Sequence, residues 1–224
     1  EFHVLDKILS FDEAQADVLG LRPPFILIGT AGSGKTVLSL EKLKQLTGDI
    51  LYVTRSPFLV ESARDLYYAS NYENEKQTLD FLSFQEYLES IRVPAGRPVT
   101  FPDFERWSTR YSYGARIKDA YKLFEEFGGV LTGADIEKPY LSREEYLALG
   151  IRRSIFTDEE RPLVYDIFLK YLEWLEGNGL YEPNLAAHAT LRLIRPRYDF
   201  AVVDEVQDLT NVQLCLILRS LRTE

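Results

Sequence analysis

Apolar positions along the chain keep two rhythms. Short unbroken runs at residues 25–28, 49–55 (DILYVTR), 78–81 and 199–204 stand between turn residues and predict buried strands. Between them, apolar residues return every three to four positions, as helices require. Ala14, Ala16 and Leu19 follow Asp12 as N-cap and are halted by Pro23-Pro24. Val37, Leu40, Leu43 and Leu46 make the next face, with Gly48 placed to close it. Leu59, Val60, Ala63, Leu66 and Tyr67 follow Ser56-Pro57, read as N-cap and first helical residue, and a further helix is expected around residues 85–91. Strand and helix in alternation predict an α/β fold, a parallel sheet with right-handed crossovers and helices on its faces.

From about Pro94 the rhythm changes. Pro94, Gly96, Pro98 and Pro102 interrupt regular structure, and the following eighty or so residues carry helical periods without convincing strands. Ile117, Ala120, Tyr121, Phe124 and Phe127 form one apolar face ended by Gly128-Gly129. Leu163, Val164, Ile167, Phe168, Tyr171, Leu172 and Leu175 form another ended by Gly177-Asn178-Gly179, with a Ser142/Glu145 capping box between the two. Asn184 is expected to cap a helix that Pro196 terminates, after which the chain returns to strand. The chain thus divides into an α/β body, residues 1–92 and 185–224, and a helical insertion over residues 93–184. It shows no internal repeat and no low-complexity segment.

Composition narrows the class. The 224 residues are 46% hydrophobic, enough for a packed core. No apolar stretch nears the ~18 residues of a membrane span, and Asp6, Asp12, Glu13 and Asp17 make the start unlike a signal peptide, so a soluble cytoplasmic protein (nuclear in a eukaryote) without a membrane partner is expected. Cys215, among Leu214, Leu216 and Ile217, reads as an inert core thiol. Twenty-six basic against thirty-five acidic side chains, a net charge of −9, give no global pull on nucleic acid but leave room for a local basic groove. Methionine is absent where ordinary usage gives about four or five, so the chain reads as an excised fragment or as one with residues missing. His3 and His188 have no partners at metal or catalytic spacing.

The chemistry concentrates in two places. Gly29-Thr30-Ala31-Gly32-Ser33-Gly34-Lys35-Thr36, directly after the run at 25–28, fits G-x-x-x-x-G-K-[ST], the phosphate-cradling P-loop. Glycines let backbone N–H groups turn toward one anion at the positive end of the next helix. Lys35 then reaches the β/γ-phosphates and the Thr36 hydroxyl ligates Mg²⁺. Far downstream, the run at 199–204 delivers Asp204 and Glu205 at the C-terminal end of a strand, the edge where open α/β sheets bind ligands. Asp204 is expected beside the Mg²⁺ held by Thr36, with Glu205 orienting or deprotonating an attacking water.

Asp204-Glu205-Val206-Gln207-Asp208, followed by Leu209-Thr210 and Gln213, resembles motif II (D-E-x-Q-D) of the UvrD/Rep-type superfamily 1 DNA helicases, and the glycine-rich loop resembles their motif I. The resemblance covers residues 10–92 and 185–218 and implies a RecA-like P-loop NTPase domain with cofactors ATP and Mg²⁺. It also implies that Gln15 reads the adenine edge and that Gln207 links the γ-phosphate site to the strand-binding side. Residues 50–64 resemble motif Ia, which in the family supplies backbone contacts to single-stranded DNA; Thr54 and Arg64 fit it, while Arg55 and Ser56 replace its usual aromatic and polar pair. Residues 81–84, with Ser83 and Phe84, resemble the next strand-end motif, departing from it at Asp80 and Leu82, and Val37 stands where many relatives carry arginine. The insertion corresponds in position and helical character to the subdomain called 1B.

Family members carry a second RecA-like domain that supplies transition-state arginines, and nothing before Glu224 corresponds to it. The expectation is therefore a first ATPase domain that binds Mg²⁺-ATP but alone hydrolyses it very slowly. Arg106, Trp107, Arg110, Tyr111, Tyr113, Arg116 and Lys118 read equally as a single-strand track or as a solvated face with aromatic core anchors. Arg152-Arg153, Arg192, Arg195 and Arg197 are weaker versions of the same pattern. The alternative function is a helicase-like nucleotide switch or scaffold with protein partners, or an RNA motor.

Overall fold

The computed structural model describes residues 13–30, 32–69, 72–112, 117, 119–150 and 152–222. In chain order the body runs α1 (Glu13–Gly20), α2 (Lys35–Lys44), β1 (Gly48–Thr54), α3 (Pro57–Tyr68), β2 (Gln77–Ser83) and α4 (Phe84–Ile91). The middle of the chain holds β3 (Arg97–Pro98), α5 (Phe101–Ser112), α6 (Ala120–Glu126), a π-helical turn (Phe127–Leu131), α7 (Arg143–Leu147), α8 (Arg161–Gly177) and β4 (Leu180–Tyr181). The body resumes with α9 (Pro183–Thr190), β5 (Phe200–Val203), a 3₁₀ turn (Val206–Asp208) and α10 (Asn211–Leu218).

The sheet is small and parallel, ordered β2-β1-β5. β1 pairs with β2 from Gly48↔Gln77 to Thr54↔Ser83 and with β5 from Ile50↔Phe200 to Val53↔Val203. Its residues Ile50, Leu51, Tyr52 and Val53 are fully buried because both faces of this central strand are covered. Ile50 and Tyr52 pack with Leu40 and Leu43 of α2 and Val60, Ala63 and Tyr67 of α3. Leu51 and Val53 pack on the other side with Tyr87 and Leu88 of α4, Ala187 of α9 and Val212 and Leu216 of α10. Period-two alternation along one strand therefore builds two cores.

A third core lies wholly within residues 99–180. Phe104, Phe127, Phe168 and Tyr171 meet there edge to face, and Trp107 stacks on Trp174 with ring centroids 5.4 Å apart. Its polar exceptions are satisfied. Glu126, fully buried, accepts from Tyr146 Oη (2.8 Å) and Ile155 N (3.0 Å).

Several expectations need correction. Residues 25–28 form no strand: Ile26 and Ile28 are 83% and 90% exposed, since an apolar run becomes a strand only where an edge receives it. α2 closes at Gln45, and Gly48 instead opens β1 with φ 97°, where a Cβ would collide with the Asp199 carboxylate. Gly128-Gly129 does not end the helix before it but runs through the π-turn. α9 is capped by Glu182, whose carboxylate accepts from Leu185 N (2.9 Å), and Asn184 is buried inside it. β3 and β4 form a two-residue parallel pair where no strand was expected. Asp12 lies outside the described residues. No helix among the described residues is long and apolar enough to cross a membrane.

Candidate functional site

The C-terminal edge of the sheet carries the site. Asp204 directly follows β5, and its N–H donates to Val53 O (3.0 Å), extending the pairing by one residue. The side chain is only 8% exposed. Its Oδ2 accepts from Thr36 Oγ1 (2.9 Å) and Tyr52 Oη (2.7 Å), and its Oδ1 from Glu205 N (3.0 Å). Burial first, then the bond to Asp204, pushes the Tyr52 phenol far above its ordinary range, so it remains a donor.

Thr36 brings the glycine-rich loop to this carboxylate across 168 positions of chain. Gly32 (φ 76°) and Gly34 (φ 77°) are left-handed, which glycine alone adopts without strain, and Gly34 is the N-cap of α2. No acidic residue occupies the first turn of α2, so its free N–H groups favour an anion. Ser33 N donates to Thr30 O (3.2 Å), and Lys35 Nζ donates to Gly29 O and Thr30 O (2.9 Å each). Ala31 lies outside the described residues, as does the side chain of Gln15. The backbone of α1 is tied to α2 by Lys42 Nζ, which donates to Leu19 O (2.6 Å).

Glu205 turns the chain out of β5 with φ 49°, a left-handed conformation that an ordinary side chain adopts only under constraint. Its half-exposed carboxylate accepts from the Gln207 side-chain amide. One hydroxyl and one carboxylate, Thr36 and Asp204, are thus placed where both could ligate a divalent ion. No group of three or more His, Cys, Asp or Glu side chains among the described residues is placed to do so. The arrangement suits an ion that takes its remaining ligands from phosphate oxygens and water, as Mg²⁺ does.

No protein-family model matches the chain, and no curated protein matches it. Function rests on the geometry.

The residues expected against a nucleic-acid strand divide into two groups. Thr54 is fully buried and its Oγ1 has no hydrogen-bond partner. Ser56 caps α3 through Leu59 N (3.4 Å), Ser83 forms a capping box with Glu86, and Phe84 is 3% exposed in the core. Arg55 and Arg64 are exposed; Arg55 donates to Asp208 O (3.3 Å) and Arg64 to Phe81 O (2.9 Å). In the insertion, Arg106 pairs with Asp103 (2.8 Å), Trp107 is core and Arg110 is exposed. Tyr113, Arg116, Lys118 and the Tyr111 side chain lie outside the described residues.

Sequence reasoning missed two features. Tyr52 sits in a run that reads as uniformly apolar, so nothing marked its hydroxyl as a ligand of Asp204. A cavity of about 570 Å³ lies between the sheet edge and the insertion, lined among others by Arg55, Phe124, Glu182, Asn184 and Asp208. Asn184 bridges the two: its Nδ2 donates to Gly128 O (2.7 Å) and Thr132 Oγ1 (3.2 Å), and its Oδ1 accepts from Thr210 Oγ1 (2.7 Å) and Gln213 Nε2 (2.8 Å). Spacing could have found neither, because the Tyr52–Asp204 bond and the cavity both join segments far apart in sequence.

Proposed function

We propose that the chain is a nucleotide-binding motor domain, the first RecA-like ATPase domain of a UvrD/Rep-type superfamily 1 DNA helicase. The observation that supports this best is the hydrogen bond from Thr36 to Asp204, which joins a phosphate-loop sequence to the acidic strand end within one site. In this reading residues 29–36 receive the triphosphate through backbone N–H groups, and Lys35 exchanges its loop carbonyls for phosphate oxygens. Thr36 and Asp204 hold Mg²⁺, which when bound neutralises phosphate charge. Glu205 orients or deprotonates the attacking water, and Gln207, bonded to it, carries the state of the site toward Arg55 and the insertion. Gln15 reads adenine from α1. Arg55 and Arg64 are exposed cations available to single-stranded DNA, and the full-length protein would translocate on it.

Binding of a fluorescent, non-hydrolysable ATP analogue with and without Mg²⁺ tests the nucleotide half of this reading. Mg²⁺-dependent binding that Lys35→Ala lowers at least about tenfold is the expected result; equal affinity in the two proteins would overturn it. A second reading, a nucleotide switch with protein partners, draws support from the burial of Thr54, Ser83 and Phe84. Salt-dependent binding of a fluorescent oligonucleotide separates the two, because nucleotide binding without any strand affinity favours the switch.

A further inference from the structure

Thr54 is the single described residue with a buried side-chain polar atom lacking a hydrogen-bond partner. A buried hydroxyl left unpaired is costly, and each such group calls for a reason. Valine has the same shape and β-branched stiffness without that cost, so strand formation does not require the oxygen.

Its place in the fold supplies the reason. Thr54 is the last residue of β1, paired with Ser83 on one side, and follows Val53, whose carbonyl accepts from Asp204 N on the other. Alternation puts its side chain on the face that carries Ile50 and Tyr52, the face covered by α2. Tyr52, two residues back and roughly 7 Å down the strand, already donates to Asp204 Oδ2, the oxygen that also receives Thr36. The orphan hydroxyl is therefore the next polar group along this face toward the sheet edge. Loading the site must rearrange its surroundings, since Thr36 and Asp204 are the two groups that would hold the ion and Lys35 must leave the loop carbonyls.

We propose that Thr54 is a positioning residue of the nucleotide site, whose hydroxyl gains its hydrogen bond, to a water of the Mg²⁺-triphosphate shell, only in the nucleotide-bound state. This rests on the nucleotide reading given above. The hydroxyl costs stability in the free protein and returns it on binding, which is how a strained or unsatisfied group persists at a working site.

The test compares wild type, Thr54→Val, Thr54→Ser and Lys35→Ala in two measurements: the thermal midpoint without nucleotide, and the Kd for a fluorescent non-hydrolysable ATP analogue in Mg²⁺ and in EDTA. Thr54→Val should raise the midpoint by about 2–4 °C and weaken Mg²⁺-dependent binding about five- to tenfold. Thr54→Ser, which keeps the oxygen, should restore affinity to within about twofold. Unchanged affinity in Thr54→Val would mean a hydroxyl that is merely tolerated, and a lowered midpoint would mean one already bonded in the fold; either overturns the proposal. So does failure of Thr54→Ser to rescue, which would assign the effect to shape. Where Lys35→Ala loses affinity and Thr54→Val does not, the Thr54 assignment alone falls. Where wild type shows no Mg²⁺-dependent binding or Lys35→Ala matches it, the nucleotide reading fails and takes this one with it.

Discussion

Asp204 and Lys35 sit on the same edge of the sheet, yet the protein holds them in opposite ways. Asp204 ends a paired strand, is almost wholly buried and receives three hydrogen bonds. Lys35 follows a loop whose residues 32–34 are exposed, reached through the open stretch that contains Ile26 and Ile28. The carboxylate half is therefore set by folding. On the loop side the bonds stay local, Ser33 N to Thr30 O and Lys35 Nζ to Gly29 O and Thr30 O. Thr36 is the hinge between the two regimes, since it belongs to the loop sequence and to the first turn of α2 and touches Asp204.

The sharpest way to break this comparison is to remove one anchor from each half. Asp204→Ala strips the acceptor from Tyr52, a buried donor, and from Thr36, and is expected to cost about 2–5 kcal/mol in urea unfolding. Lys35→Ala should change stability by less than about 0.5 kcal/mol. Under the proposed function both lose Mg²⁺-ATP binding, so equal functional loss with unequal stability is the outcome to look for. A Lys35→Ala protein as unstable as Asp204→Ala would show that the loop is built in after all.

Behind the carboxylate half stands a brace that responds to pH. Burial, against the opposing bonds from Leu185, Thr132 and Asn184 and the charge of Arg55, pushes the Glu182 carboxyl up to about 7. Glu182 caps α9, and Asn184 two residues on ties the start of α10, through Thr210 and Gln213, to Gly128 and Thr132. The folded state binds the proton more tightly than the unfolded chain, whose carboxyl ionises at its ordinary value. Stability from this group is thus full at low pH and is lost as pH rises from the ordinary carboxylate range to about 7. The loss is on the order of 3 kcal/mol. Glu182→Gln keeps a capping oxygen without the charge, and should flatten stability between pH 5 and 7 and exceed wild type at pH 8. A variant that tracks the wild-type pH curve would remove Glu182 as the source.

On the loop side the effects shrink. Gly34→Ala must take φ 77° with a Cβ present, a cost of about 1–2 kcal/mol by chemical unfolding. No measurable cost would mean that the loop relaxes freely, which sharpens the contrast with the strand end.

Much of this was legible in the sequence, for identifiable reasons. The spans 49–55, 78–81 and 199–204 were readable because uninterrupted apolar runs between turn residues suit strands covered on both faces. The Ser56 cap and the Ser142/Glu145 box were readable because capping is local chemistry within four residues. The meeting of Thr36 with Asp204 was legible from the pairing of the two motifs, although the strand expected to lead into the loop does not form. What failed was non-local. The run at 25–28 had strand composition but finds no pairing partner among the described residues. Asn184 looked like a cap because of its residue type, yet Glu182 took that position and left the amide to a bridge between segments more than fifty residues apart. The side chains of Thr54, Ser83 and Phe84 are buried, which residue order does not report; the strand contact expected of motif Ia runs through the backbone.

The smallest expected effect tests that failed strand directly. Ile26 and Ile28 are 83% and 90% exposed, whereas Ile50 of β1 is fully buried between α2 and α3. The same residue type in two settings isolates burial from composition. Ile50→Ala removes methyl groups from a closed core and should cost about 2–5 kcal/mol, the spread reflecting how far the cavity collapses. Ile26→Ser and Ile28→Ser remove apolar surface that already faces water, so each should stay within about 0.5 kcal/mol in urea unfolding. If the serine variants instead fell by amounts near that of Ile50→Ala, the run would have to be packed in solution as a strand. The loop half would then be as firmly founded as the carboxylate half, and the asymmetry between Lys35 and Asp204 would vanish.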